Sequence, residues 1–354
     1  MSYKKSKLTL LVDGNWLLMS RLSVMQNRFA SVDDLVKDLK IMMVRSINVM
    51  LRTFPSIDNV IFVADSGSWR NSIEIPNFLQ NEGIKYKGNR EKDPNIDWDK
   101  IFGAYEDFIA LLKDCGITVA KEKGIEGDDW CWYWSNKLNA HDTNVIIWSA
   151  DKDLTQLVKI HKDTKIFTIC WNKNQMVTMD LGEDKPNDDL DLLFLFNADI
   201  AANESLYNGI ASKSKKIVKI HPMDVVIDKI IRGDAGDNVM PILTKTKNTR
   251  TYKVTTKDIN FDLDFTSIDS VEKYLHNLME SKSWKGKTPK SYNEVLQHFI
   301  YNRQLVWLNS KSYPKEIITK MFQHKIDMPN KDFSVVESKL VAEKNGQENV
   351  FDEI

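Results

Sequence analysis

Three short apolar runs that each lead into aspartate constrain this chain more than anything else in its sequence. Leu8–Val12, Val60–Ala64 and Val145–Trp148 read as buried parallel strands, and they deliver Asp13, Asp65, and then Asp151 with Asp153. Ile117–Ala120 is a further run of this kind and Lys165–Trp171 a fifth candidate. The stretches between them have helical spacing: Val32–Phe54 through Leu35, Leu39, Met42, Met43, Ile47 and Met50, then Trp98–Leu112 and Glu126–Leu138. Strand and helix alternating in this way predict an α/β fold, a central parallel sheet covered by helices on both faces. Right-handed crossovers then place ligands beyond the carboxyl ends of the strands, where the aspartates are.

A chain of 354 residues exceeds what one hydrophobic core usually organises, so two domains are expected. The sheet takes residues 1–182. Residues 183–354 form a mainly α-helical C-terminal domain, with helices at Val271–Met279 and Ser291–Leu308. The polar stretch Gly182–Ser214 reads as a junction or surface insertion, and the Gly-, Asn- and charge-rich stretch of about 66–96 as a functional loop. No run approaches eighteen apolar residues and the start carries no secretion signal, so no membrane is expected as a partner. Three cysteines at spacings matching no zinc pattern fit a reducing compartment, and a cytoplasmic protein is expected.

The carboxylates are the chemistry-bearing set. GIEGDDW places Glu126, Asp128 and Asp129 at a helix start, and IIRGDAGDN adds Asp234 and Asp237, on one side if that segment is helical. One strand ending in Asp is explained by helix capping. Nine carboxylates in five groups are not, because like charges about 4 Å apart repel by roughly 1 to 4 kcal/mol each. They converge only if cations neutralise them or several stay protonated. Carboxylate oxygens without Cys/His pairs suit a hard divalent ion, two Mg²⁺ with Mn²⁺ as substitute. Two such ions activate a water and stabilise the leaving oxygen of a phosphodiester.

The blocks LVDGNW, VADSGSWR, YKGNR, GIEGDD, SADKDLTQL and IIRGDAGDN, in this order, resemble the flap endonuclease or 5′-nuclease superfamily with its PIN-like fold. Within it the similarity is strongest to the branch of T-even phage ribonucleases H. The resemblance implies structure-specific 5′ to 3′ cleavage of flap or branched DNA and of RNA–DNA duplex, primer removal in phage DNA replication, and a monomer in the bacterial host cytoplasm. It assigns Asp65, Glu126, Asp128 and Asp151 to one metal site, and Asp13, Asp153, Asp234 and Asp237 to the second or its water shell. Asp129 goes to the outer shell. It makes the loop of about 66–96 an arch in which Lys87 and Arg90 contact the scissile phosphate, with Lys85 nearby. Trp69 and Arg70 match as contacts to a terminal base or phosphate, packing at the arch base being the other reading for Trp69.

The net charge of −1 conceals a basic stretch from Lys213 to Lys257, in which Lys215, Lys216, Lys245, Lys247 and Arg250 are expected to hold phosphates. After GDAGDN the chain departs from the superfamily's Gly-rich duplex grip, so Lys245, Lys247 and Arg250 are expected to act from a flexible loop. Trp130, Trp132, Tyr133 and Trp134 read as core. The apolar residues of the tail, Val350, Phe351 and Ile354, are either a frayed end or a hook for a sliding clamp or single-strand DNA-binding protein. Two other readings stand: a PIN-like single-strand ribonuclease, against which the Asp234/Asp237 pair and the arch argue, and a catalytically silent nucleic-acid-binding protein, which would be expected to have lost carboxylates.

Overall fold

The computed structural model describes residues 7–26, 28–29, 31–81, 83–161, 166–172, 175–180, 217–247, 250–324 and 331–346. The chain divides into two compact units that do not follow a single cut. The first comprises Met1–Gly67, Lys92–Ile220 and Lys320–Ile354, and the second Ser68–Glu91 and His221–Thr319. The sequence reading cut the chain once, after residue 182. In the structure most of the expected arch groups with the C-terminal helices, and the C-terminal segment groups with the sheet.

The first unit is built on an eight-stranded sheet. In chain order its strands are β1 (Lys7–Asp13), β2 (Asn59–Val63), β3 (Thr118–Ala120), β4 (Thr143–Trp148), β5 (Lys159–His161), β6 (Ile166–Asn172), β7 (Gln175–Met179) and β8 (Ile217–Ile220). The spatial order is β3-β2-β1-β4-β6-β7-β8, with β5 paired to β6 off this path. β1 to β4 and β6 are parallel as expected, whereas β5 and β7 run antiparallel to β6, so the sheet is mixed. Helices α1 (Gly14–Met25), α2 (Val32–Thr53), α4 (Trp98–Asp114) and the C-terminal helix Ser334–Lys344 bury one face against Leu8, Leu10, Val12, Val60, Phe62 and Ile146. By the two-residue alternation of a strand, Leu11, Ile61, Val63 and Ile147 face the other way. There they are buried under α5 (Gly127–Asn139), whose Trp130, Tyr133 and Trp134 are core, with Trp132 half-buried. Burial on both faces explains why these strands read as unbroken apolar runs.

The second unit has its own core, organised by the helices Pro222–Arg232, Ile268–Glu280 and Tyr292–Val306 around Ile230, Val271, Leu275, Val295 and Phe299. The stretch read as an arch is folded into it: a short helix α3 (Asn77–Gln80) inserts Leu79, and Tyr86 is buried beside it. A two-stranded antiparallel ribbon, β9 (Thr244–Lys247) and β10 (Arg250–Lys253), stands where a flexible loop was expected. None of the described helices is long and apolar enough to cross a membrane. Lys215, Lys216, the Gly182–Ser214 stretch and the tail hook lie outside the described residues.

Candidate active site

The register of the parallel strands lines up the acids. Asp13 is level with Val63, and Val12 with Trp148, so the chain leaves β1, β2 and β4 at one edge with Asp13, Asp65, Ser149 and Asp151 following. Asp13 caps α1 by accepting from the Trp16 amide at 2.9 Å, and its other oxygen accepts from the Ser149 hydroxyl at 2.7 Å. Asp65 accepts from the Gly127 amide at 2.6 Å. A side chain at 127 would bring its Cβ to 3.0 Å from that carboxylate, so glycine there lets the α5 N-terminus approach. That terminus supplies backbone N–H groups and the positive end of the helix dipole.

The remaining acids of the first unit are positioned by one another's backbone. Asp129 is fully buried and accepts from the Glu126 amide at 3.1 Å, while the Glu126 side chain accepts from the backbone of Asp129, a reciprocal cap. Asp151 accepts from the Asp153 amide at 2.8 Å, and its own amide donates to Ser149 Oγ at 2.9 Å. Burial, helped by Asp65 and Asp151 and opposed by the hydrogen bonds from Ser149 and Trp16, raises the Asp13 carboxyl to about 7. Asp65 and Asp151 are therefore each close enough to act on Asp13. Burial also raises the Tyr105 hydroxyl, with Asp13 and Asp65 adding to it; Tyr105 donates to Asn15 Oδ1 at 3.1 Å, which also accepts from the Asp65 amide at 3.0 Å.

The donors are hard carboxylate oxygens, which suit a divalent cation. Among the described residues no three carboxylates, cysteines or histidines form a closed coordination group. The fit to a divalent ion rests on Asp13, a buried acid whose ionisation is opposed by two neighbouring acids and which has no cation partner among the described residues.

The second unit holds Asp234 and Asp237 differently from expectation. The RGDAGDN segment is a tight turn closed by the antiparallel bridge Asp234↔Val239, not a helix. Gly233, at φ +72°, turns the chain where a Cβ would fall 2.3 Å from the Val239 carbonyl oxygen. Asp234 pairs with Lys229 and accepts from the Gly236 amide at 2.8 Å. Asp237 accepts from Arg90 at 2.5 Å and from the Tyr86 hydroxyl at 3.3 Å. The expected phosphate contacts lie on this turn: the Lys87 amide donates to the Asp237 carbonyl at 2.8 Å with Lys87 at φ +53°, and Asn89 donates to the Ala235 carbonyl at 2.8 Å. Asn238 donates to the carbonyl of Lys85, whose side chain is exposed. Of the nine acids, then, seven belong to the first unit and two to the second.

Trp69 and Arg70 are buried rather than presented. Trp69 meets Tyr313 edge to face at 5.5 Å, Arg70 lies 4.7 Å over the Trp69 ring, and its Nε donates to the Leu305 carbonyl at 2.8 Å. The packing reading is the one their burial supports. Arg250 is exposed on the ribbon, while Lys245 donates to the Ser283 carbonyl at 2.8 Å. Ser149, Asn15 and Tyr86 were not singled out in the sequence, although each stands within or beside a block that was.

Among solved structures, the fold is similar to the T5 D15 protein co-crystallised with metal ions, at TM-score 0.51 and 15% identity, covering 97% of this chain and 100% of that one. The T5 5′-exonuclease with zinc bound matches at TM-score 0.51 and 14% identity, covering 94% and 100%. These likenesses are of fold. A 5′-3′ exonuclease of Buchnera aphidicola subsp. Schizaphis graminum is 28% identical over 199 residues, 55% of this chain and 64% of that protein. Another, of Buchnera aphidicola subsp. Baizongia pistaciae, is 31% identical over 121 residues, 34% of this chain and 35% of the relative. Each match thus spans less than two thirds of the relative's length. Residues 8–185 match the family model of the 5′-3′ exonuclease N-terminal resolvase-like domain, and the chain belongs to that family.

Proposed function

We propose that this protein is a divalent-metal-dependent, structure-specific 5′ nuclease that hydrolyses phosphodiesters of flap or branched DNA and of RNA–DNA duplex. The observation that carries the reading is the sheet edge: in a chain of this exonuclease family, β1, β2 and β4 bring Asp65 and Asp151 within electrostatic reach of Asp13. Asp13, Asp65, Glu126, Asp128, Asp151 and Asp153 would hold two Mg²⁺ ions, with Mn²⁺ as substitute, and Asp129 would fix Glu126 from behind. Bound there, the ions supply Lewis acidity and offset the charge that builds on the phosphate during an in-line displacement.

The chain's own residues do the rest. Ser149 and the Trp16 amide hold Asp13 in one orientation, and Gly127 holds Asp65. Lys87 and Arg90 are the candidates for offsetting charge on the phosphodiester, on a segment that Asn89 and the Lys87 amide fix in place. No side-chain nucleophile is needed, because water is the attacking group. A role in phage primer removal, a monomeric state and the tail as a hook for a clamp or single-strand DNA-binding protein belong to this proposal.

The test is cleavage of a 5′-labelled flap duplex and a matching RNA-primed duplex in Mg²⁺, with Asp151→Ala beside the wild type. Cleavage by the wild type alone supports the reading, and product lengths separate flap cutting from exonucleolytic trimming. Binding of both substrates by both proteins without cleavage would sink it and favour the silent nucleic-acid-binding alternative.

A further inference from the structure

Asn15 and Tyr105 stand beside the acidic edge of the first unit and have no part in the reaction as proposed. They meet where the pairing of β1 with β2 runs out. The parallel ladder ends with Asp13 level with Val63, and the chain turns into α1 at Gly14. Asp65 lies two residues beyond that last pair, where β1 has already become helix. Its amide donates instead to the Asn15 side chain, 3.0 Å from Oδ1. The amides on either side are taken elsewhere, Ala64 by the Ala120 carbonyl and Ser66 by the Ile125 carbonyl. Asn15 is thus the rung that ties the Asp65 end of β2 to the Asp13 end of β1.

Tyr105 fixes that rung. Its hydroxyl donates to the same Oδ1 at 3.1 Å. The backbone amide decides which end of the carboxamide faces inward, because the side-chain nitrogen there would set donor against donor. Burial, with Asp13 and Asp65 adding to it, raises the Tyr105 hydroxyl well above its ordinary value and keeps it a donor. The phenol is buried, comes from α4 and leans on Phe62 of β2 with ring centroids 6.3 Å apart. It has little room to shift: a Cβ at Gly14 would fall 2.5 Å from Tyr105 Oη and 2.3 Å from the Phe62 ring. The same first turn of α1 supplies the Trp16 amide that holds Asp13. One helical turn therefore anchors both strand ends, and Tyr105 pins that turn from α4.

We propose that Tyr105, acting through Asn15, is a positioning residue that sets the spacing of Asp65 from Asp13, an inference that rests on the nuclease reading for what those carboxylates hold. Neither side chain is assigned to an ion or to the phosphate. Their work is done before an ion arrives, by holding two strand ends in one arrangement that only a cation makes favourable. Groups that stand behind a metal's ligands govern affinity or turnover by about 10- to 100-fold, because a ligand left loose must be ordered on binding.

The test compares full-length wild type, Tyr105→Phe, Asn15→Ala and the double variant by Mn²⁺ calorimetry without nucleic acid, by urea unfolding in EDTA, and by flap cleavage at limiting Mg²⁺ with kcat and KM resolved. Tyr105→Phe keeps the ring on Phe62 and removes only the hydroxyl, so its unfolding midpoint should stay close to that of the wild type. Its Mn²⁺ affinity should fall about tenfold and kcat with it, while KM for the flap holds. Asn15→Ala should lose more, and the double variant no more than Asn15→Ala, since the hydroxyl acts only through Asn15. Wild-type Mn²⁺ affinity in Tyr105→Phe would overturn the inference, and a lowered unfolding midpoint beside it would make the pair structural. A raised KM at constant kcat, the mark of a direct substrate contact, would also overturn it, as would losses that simply add in the double variant. Absence of Mn²⁺ uptake by the wild type overturns it whatever the flap assay shows. The nuclease reading is judged on the wild type: weakened Mn²⁺ binding in the variants beside a wild type that cuts no flap fails that reading and leaves the positioning standing. A wild type that cuts, with variants like it in both affinity and kcat, fails the positioning alone.

Discussion

Asp13 and Asp234 are the same residue type in two opposite electrostatic settings. At the sheet edge, burial first, with the neighbouring acids Asp65 and Asp151 adding to it, raises Asp13 to about 7. In the RGDAGDN turn, burial also acts to raise Asp234, but the Lys229 ammonium and the amides of Gly236 and Asp237 outweigh it and hold the carboxyl below its ordinary value. The turn carries its own cations, since Asp237 likewise faces Arg90. Asp13 is set among acids. The contrast separates a carboxyl whose charge its surroundings oppose, and whose dependence on an added cation belongs to the proposed function, from one already neutralised by the fold.

The largest expected effect tests that dependence. Asp13→Asn keeps an acceptor for the Trp16 amide and removes the charge. Flap cleavage in Mg²⁺ should fall by about a thousandfold, the scale on which lost transition-state charge stabilisation is felt. Stability should move the other way. A carboxyl whose folded-state pKa is raised contributes its stability below the unfolded value and loses it as pH climbs through about 7. In EDTA at pH 8, urea unfolding should therefore find the variant more stable by about 1 kcal/mol or more. A variant both inactive and less stable would break the comparison, making Asp13 a structural cap.

The strands at the acidic edge were legible because burial on both faces leaves an uninterrupted apolar run, as in β1 and β4. β7 and β8 were not, because each is short and a polar residue interrupts its apolar run. The C-terminal helix Ser334–Lys344 offered only Val336 and Leu340 as core residues. Its seat on α2 is marked by Lys40–Glu343 and Arg45–Glu337, pairs roughly three hundred residues apart that no local pattern shows. At the site, acids that end strands were readable from position alone. The partners that set their charge were not: Ser149 reaches Asp13 across 136 residues, and Lys229 meets Asp234 through a turn that the sequence suggested as a helix. The burial of Leu79 and Tyr86 in the second unit's core was not legible, because they sit in a stretch whose composition is that of a loop.

A second test asks whether the second unit also holds an uncompensated group. His298 is fully buried with Nδ1 2.8 Å from the Lys290 ammonium. Burial, then this like charge, holds its pKa down to about 3. Between the ordinary histidine value near 6.5 and 3, the unfolded chain binds a proton that the folded protein refuses, so stability is lost as pH falls. From pH 6.5 to 4.5 the wild type should lose about 2 to 3 kcal/mol more than His298→Gln in urea unfolding. Parallel pH profiles would show that the imidazole is solvated. Smaller again, Asp234→Ala should cost about 1 to 2 kcal/mol through its bonds to Lys229 and Gly236. A double-mutant cycle with Lys229→Met that shows no coupling would remove Lys229 from the account.

The smallest effect belongs to Arg90 and Asp237. Their contact at 2.5 Å is short, but 58% of the Arg90 side chain is exposed, so solvent screens the pair and holding the long side chain in place offsets much of the attraction. Arg90→Met should cost no more than about 1 kcal/mol at low salt, and the difference from wild type should vanish near 1 M salt, where the Debye length is about 3 Å. Two other contacts account for so small a loss: the Lys87 backbone amide on the Asp237 carbonyl and the Asn89 side-chain amide on the Ala235 carbonyl hold the same turn without Arg90. A loss of several kcal/mol that survives high salt would mean that Arg90 is a structural strut committed to the turn, and would leave the phosphate contact to Lys87 and Lys85. A small, salt-sensitive loss leaves the guanidinium exchangeable, able to give up Asp237 when a stronger anion arrives.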